Sequence, residues 1–588
     1  MRLFWALAVA GTVAVLPLVA WAQPIPPPGG LGGLRQQNRP VPPRGGQQAD
    51  VGRGTAVIRG AVLAADNGSP IRRAQVRISG QGAGSRTVMT DAQGRFEVRD
   101  LPAGRFTVSA SKAGFVTLQY GQRRPSESGT PLELADAQLL DKLVIALPRG
   151  SVITGRITDE FGEPVANALV TAMRYGFQAG ARRLLPASSQ NSRDTTDDQG
   201  QFRLFGLSPG DYIISAVLRN GPPESGDAAG ETSGYAPTYF PGTPSIAEAQ
   251  RVTIGISQEH AGIMFSLIAT RLVRVSGAVV NSQGVPISAG NVMLTPAGSR
   301  LGTGAMAQAM GARVEQGGQF RITNVPPGRY VAQVRSMPGG RGGPRGQMID
   351  PNNEFGRQEV TVGTEDLDGV VLVTAPGARV SGQIVGDAGA VLPIKPQQVS
   401  VGSRVLEIDP AMPGGNVNSR VNDDWSFELT GVFEPRVFRV NLPQGWTLKA
   451  VLYSGQDITD TPLDVSPGQA VSGVQIVITD KMTEINGAII DAAGAAVTDA
   501  TVVVFAADET RWTYQSRFVR TARPDQDGRF QIRGLPGSEK YLAIAVQGLE
   551  DGQAGDPEFL ASVRDRAASL SLNSDSDIRT LNLRWIAR

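Results

Sequence analysis

The chain has 588 residues, a formal net charge of +2, 41% hydrophobic residues, one histidine and no cysteine. That length holds several domains, each with room for its own core. Acidic and basic residues are mixed throughout and give no support for a nucleic-acid partner, while the missing cysteines exclude a disulfide framework, lipoprotein attachment and thiol chemistry.

In chain order, residues 1–22 read as an export signal. Arg2 is the positive start, Leu3 to Val19 the apolar run, and Ala20-Trp21-Ala22 a small-x-small cleavage site. The run is also nearly long enough to remain as an uncleaved anchor. Residues 23–54 are Pro, Gly, Gln and Arg, with too little apolar surface to fold, and are expected to form a semi-extended tether. No later apolar segment is long enough to span a membrane, so no span is expected once the signal is removed.

A pattern then returns about every hundred residues. Its first copy is Asp91-Ala92-Gln93-Gly94-Arg95-Phe96-Glu97-Val98 followed by Leu101-Pro102-Ala103-Gly104-Arg105-Phe106. The aromatic recurs as Phe96, Phe202, Phe320, Phe427 and Phe530. Upstream of each lies an apolar strand with a central glycine: Gly60, Gly155, Gly277, Gly382 and Gly487. Abundant turn formers between short alternating strands predict an all-β chain of two-sheet sandwiches, at 55–149, 150–270, 271–376, 377–481 and 482–588. The Asp-x-x-Gly segment predicts a tight turn, and the aromatic after the Pro-Gly corner (Phe106, Tyr212, Tyr330, then Phe438 and Tyr541) is similar to a tyrosine corner. One helix is predicted over 556–567, capped by Asp556, with Phe559, Leu560 and Val563 on its buried face over the last sandwich.

The glycine strand, the Gly-x-Phe-x-aliphatic run and the Pro-Gly-x-Tyr corner together resemble the carboxypeptidase regulatory-like domain, clearly in three repeats and partially in the last two. The resemblance implies about five tandem seven-stranded Greek-key sandwiches of the transthyretin type, related to carbohydrate-binding-like and collagen-adhesin B-type modules. It does not imply an activity, because function resides in sites and not in scaffolds. The Lys–Asn crosslinks of the collagen-adhesin relatives need a lysine on the opening strand, which all five lack.

A zinc carboxypeptidase site needs two histidines and a glutamate, and His260 stands alone. It reads as a turn residue between Val252-Thr253-Ile254 and Ile263-Met264-Phe265, with no nucleophile selected beside it. The acidic pairs Asp197/Asp198 and Asp525/Asp527 read as turn formers. Asp525 and Asp527 also hold part of a calcium-loop pattern, without its downstream acid. No cofactor is expected.

Aromatic clusters on loops are the candidate ligand-binding residues: Tyr235, Tyr239 and Phe240, with Tyr120 as their shorter counterpart, and Trp512 and Tyr514 beside Phe518. Exposed rings stack on sugars or anchor a protein, whereas buried ones cover a sandwich edge or fill an inter-domain joint. Gly339 to Gly346, carrying Arg341 and Arg345, reads as a mobile loop. The sequence therefore predicts a non-catalytic, exported (periplasmic or cell-surface), semi-rigid rod of sandwiches that binds or presents a carbohydrate or a cell-surface protein. The alternatives are an accessory subunit of a separate peptidase or glycosidase and a structural spacer.

Overall fold

The computed structural model describes residues 54–80, 84–125, 127–178, 180–189, 191–218, 232–297, 310–336, 354–405, 417–513 and 515–585. The expected signal, most of the tether, the Gly339–Gly346 loop and Tyr514 lie outside the described residues. Within them, strands dominate and the chain forms a tandem series of β-sandwiches.

Each repeat begins with the strand that alternation predicts. Ala56–Ala64 turns Ala56, Ile58, Val62 and Ala64 inward. It pairs antiparallel with the phenylalanine strand Arg95–Leu101 and, on its other side, parallel with the closing strand Leu139–Leu147. The arrangement recurs four times, with opening strands Ser151–Thr158, Ile268–Val280, Ala378–Gly386 and Glu484–Ile490. In the first repeat a second sheet, centred on Gln75–Gly80 between Gly84–Met89 and Gly104–Ser111, completes the sandwich. Five buried apolar clusters fill the spaces between sheets, drawn from stretches 56–147, 153–267, 273–372, 378–478 and 485–583. These stretches are the first to fifth repeats below.

The central glycine has a physical reason. Gly60, Gly155, Gly277, Gly382 and Gly487 stand directly across from Phe96, Phe202, Phe320, Phe427 and Phe530, all buried. A Cβ at the five glycines would lie 2.3, 1.9, 1.8, 1.9 and 1.8 Å from a carbonyl oxygen of the closing strand (Leu143, Ile263, Val370, Val474, Leu581). The closing strand can press in there only because the glycine leaves room, and the ring of the facing phenylalanine covers the gap.

The turns form as expected. The Asp91 carboxylate accepts from the Gln93 and Arg95 amides, Asp197 from Gln199 and Gln201, and Asp525 from Asp527 and Arg529. The corners close through the Tyr212, Tyr330 and Tyr541 hydroxyls, which donate to the carbonyls of Ser208, Pro326 and Pro536 at 2.6, 2.8 and 2.8 Å. Burial pushes the Tyr330 phenol up to about 12, so it stays a donor at any physiological pH. Phe438 fills the same place in the fourth repeat with no hydroxyl. Tyr541→Phe therefore keeps the packing and orphans one carbonyl, an expected loss of about 1–2 kcal/mol, measurable as faster amide exchange across Glu539–Gln547. Unchanged exchange would show that the corner bond contributes nothing.

The helix covers Pro557–Val563 and continues as a single 3-10 turn, Arg564–Arg566. Asp556 caps it by accepting from the Glu558 amide, and Phe559, Leu560 and Val563 are buried. They pack with Val503, Phe505, Trp512, Ile544 and Val546 in a sixth cluster, on the face of the fifth repeat's sheet that points away from its sandwich core.

Two features join repeats directly, the first in keeping with a semi-rigid array and the second against the expectation of a rod. Strand Ile268–Val280 serves two repeats: its first half pairs with Thr232–Ala236 and its second with Gln319–Val325, so no linker separates the second and third. The fifth repeat also returns to the first. Gln526 accepts from the Glu133 amide and donates back to its carbonyl (3.0 and 3.2 Å), Arg105 donates to the Arg523 carbonyl (3.0 Å), and Arg123 pairs with Asp499 (2.7 Å). Polar side chains spaced hundreds of residues apart make this contact, which no local pattern announces.

Candidate functional site

A cleft of about 710 Å³ lies between the fourth and fifth repeats. Strand alternation builds one wall. On Arg436–Asn441 it sends Phe438 into the core and leaves Arg439 facing the cleft, and Arg404 follows the buried Ser403 on Ser400–Val405. Trp446 and Lys449 come from the turn and strand that follow. The opposite wall is the segment entering Val519–Ala522, where burial of Phe518 holds Arg517 and Arg520 to either side of it. The Arg517 guanidinium lies 5.1 Å from the centre of the Phe518 ring.

Ion pairs tie the walls together. Arg517 of the fifth repeat donates to Asp460 (2.8 Å) and to the Lys449 carbonyl (2.9 Å) of the fourth, and Arg404 donates to Gln515 (2.7 Å). Asp460 also faces Arg439 at 3.6 Å. Asp387 is shared by Lys449 (2.7 Å) and Lys481 (3.4 Å), and Asp575 lies 3.8 Å from Lys449. Arg404 and Arg520 have no carboxylate within ion-pair distance among the described residues. Six cations thus face three carboxylates. Burial pulls the Arg439 and Arg520 guanidinium pKa down from its ordinary value, which marks both as cations short of solvent.

The Lys449 hydrogen bond, reinforced by Lys481, holds the Asp387 carboxyl below its usual range. A depressed folded-state pKa contributes stability above the unfolded carboxylate value of ~3.9, lost as pH falls through the folded value. Acid titration of the wild type is therefore expected to show extra destabilisation below about pH 4 that Asp387→Asn lacks. Parallel acid profiles for the two proteins would contradict the pairing.

The residues selected from sequence lie elsewhere and are not brought together. Trp512 is 5% exposed, donates its indole N–H to the Ala506 carbonyl at 2.8 Å and meets Phe505 edge-on. Tyr239 is 7% exposed and pairs with Ser215 in the second repeat's sheet. Neither offers a free face for a sugar. These rings cover sheets, because a sandwich face without a facing sheet needs large apolar groups over it. Phe240 is half-buried against Phe265, and Tyr120 packs beside the first core. Tyr235 is half-buried, and its hydroxyl donates to Glu160 at 2.9 Å. Burial, then that carboxylate, push its phenol up to about 12. His260 sits near the start of strand Glu259–Ser266 rather than in a turn, across from Ile153. The Asp525 carboxylate is taken up by two backbone amides, and no group of three or more potential metal ligands occurs among the described residues.

Residues 57–138 and 152–226 match the carboxypeptidase regulatory-like domain. The two matching stretches lie in tandem. They are the first two repeats; the glycine–phenylalanine pairing recurs in the three that follow. No curated protein matches the sequence. Among solved structures, the chain is similar to the Bacillus anthracis TIE protein (9% identity, 73% of each chain, TM-score 0.15). It is also similar to a streptococcal ancillary pilin (13%, 55% of this chain and 99% of that one, 0.20) and to the shaft pilin SpaA of Lactobacillus rhamnosus GG (15%, 37% and 98%, 0.18). No described helix is long and apolar enough to cross a membrane.

Proposed function

We propose that the chain is a non-catalytic, exported array of five sandwich domains, bounded at 55–149, 150–270, 271–376, 377–481 and 482–588. It binds or presents an extracytoplasmic ligand, a glycan or a cell-surface protein, through the cleft between the last two. The observation that carries the reading is the excess of three cations in a cleft already held open by cross-domain ion pairs. Such a site needs little ordering on binding and attracts an anionic group that water alone leaves unmatched. A plain spacer fits less well, because the fifth repeat is hydrogen-bonded to the first instead of extending away from it.

Purified full chain would be tested on an array of neutral and acidic glycans and against acidic surface proteins, beside the Arg404→Ala/Arg520→Ala variant. Capture of acidic ligands by the wild type, weakened about tenfold or more in the variant, is the expected result. Binding that ignores both arginines would place the ligand elsewhere on the array. Turnover of a bound ligand would overturn the non-catalytic reading.

A further inference from the structure

Sugar and protein are both open as ligand classes, and the walls of the cleft decide between them. An extended peptide entering here would have two strands to pair with. Arg436–Asn441 and Val519–Ala522 each lie at the edge of their sheets and line opposite walls. Edge strands recruit peptides through free backbone groups. Here one carbonyl on each strand is already engaged by a side chain. Arg439 donates to the Phe438 carbonyl at 2.8 Å, and Arg520 to the Val519 carbonyl at 3.0 Å. At its other end the first strand is bridged by Leu463, which exchanges both backbone bonds with Arg436. The arginines that supply the charge thus occupy part of each edge and disfavour a paired strand, which favours recognition by side chains.

Those side chains suit an acidic sugar. Trp446 is half-buried on the turn Pro443–Trp446, and its indole N–H has no partner among the described residues. A half-buried ring that packs on the fourth core and lines the cleft, with an unused donor at its rim, suits stacking on the apolar face of a pyranose while bonding a hydroxyl. Lining the same cleft, Arg404 and Arg520 have no carboxylate within ion-pair distance among the described residues, and guanidinium planes match carboxylates in a two-point fork. Asn441 and Gln515 add amide groups along the walls.

We infer that the cleft between the fourth and fifth repeats binds a uronate-bearing oligosaccharide, its carboxylates on Arg404 and Arg520 and one sugar face on Trp446. The inference rests on the proposed function and narrows it to one ligand class.

The test is calorimetric titration of the full chain with three probes: an oligogalacturonate, its carboxyl-reduced neutral counterpart, and an oligoglutamate of equal charge. Variants are Trp446→Ala, Arg404→Ala and Arg520→Ala, with Trp446→Phe retaining a stacking ring. The oligogalacturonate is expected to bind, the neutral sugar at least about tenfold more weakly, and the oligoglutamate likewise. Each arginine variant should lose about tenfold, and Trp446→Ala a similar amount that Trp446→Phe largely restores. Affinity for the uronate should also fall as salt rises. If the oligoglutamate binds as tightly as the uronate and Trp446→Ala changes neither, the sugar assignment is overturned while the anion cleft stands. If no anionic probe binds, or binding ignores both arginines in variants whose thermal unfolding matches wild type, the cleft itself is refuted as the site.

Discussion

Gly487→Ala is expected to open the fifth repeat, with a loss of about 3 kcal/mol or more. The added methyl would sit 1.8 Å from the Leu581 carbonyl oxygen and 2.8 Å from the tip of the Phe530 ring. Neither neighbour can yield cheaply. Leu581 belongs to the segment whose amide bonds the Asn486 carbonyl, and Phe530 is 4% exposed in the core. Backbone conformation is not the cause, since Gly487 is not among the residues with positive φ. Space alone excludes a side chain, which separates this glycine from Gly104 and Gly210. Those two have φ of 146° and 144° with nothing within 4 Å of the place a Cβ would take, so substitution there strains the backbone instead. Because a chain of several cores does not unfold in one step, the readout is amide exchange across Glu484–Ile490 and Arg529–Arg533 rather than a single midpoint. Protection equal to wild type in both strands would refute the steric account.

This glycine also shows where sequence reading succeeds and where it stops. The Gly-x-Phe spacing, the Asp turns and the Tyr corners are local: every partner lies within a few residues, so composition and alternation reveal the unit each time it recurs. The reason for the central glycine is not local. It depends on a closing strand that returns from about eighty residues away in the first repeat, Leu143 onto Gly60, and in parallel, which alternation does not encode. The candidate site follows the same rule. Arg404, Arg439, Lys449, Arg517 and Asp575 come from five separate segments of two repeats and form no run of charge in the sequence. The aromatic clusters do form such runs, yet Trp512 covers the outer face of a sheet and Tyr239 lies inside the second repeat. What the sequence shows locally is a contrast between core aromatics and charged neighbours. Phe438 is followed at once by Arg439, and Phe518 is flanked by Arg517 and, two residues on, Arg520. The recurring core phenylalanine of all five repeats has such a neighbour, as in Arg95-Phe96-Glu97 and Phe202-Arg203, so the contrast alone does not single out the junction.

Asp460→Ala is the second substitution with a large expected effect, and its sign differs between stability and binding. The Asp460 side chain is 14% exposed and lies between Arg439 and Arg517, themselves 19% and 18% exposed. Removing it leaves two half-desolvated guanidiniums facing each other with no counter-charge, and breaking such a pair costs about 3–5 kcal/mol. The cost falls on the junction, because Arg517 reaches Asp460 from the fifth repeat. Amide exchange should therefore accelerate around residues 515–520 and 459–463, while the first three repeats keep their protection. A double-mutant cycle with Arg517→Ala separates the ion pair from general damage: a coupling of about 1–3 kcal/mol is expected, and additivity would show that the pair does not hold the junction. For ligand the change works the other way. With Asp460 gone the cleft's positive excess grows by one, so an anionic probe should bind more tightly at low salt, and the gain should shrink as ionic strength rises. Loss of stability with a gain in anion affinity is hard to produce by unfolding alone, which makes the pairing of the two readouts the decisive measurement. Weaker anion binding by a junction that is still folded would mean that Asp460 orients the arginines for ligand rather than competing with it.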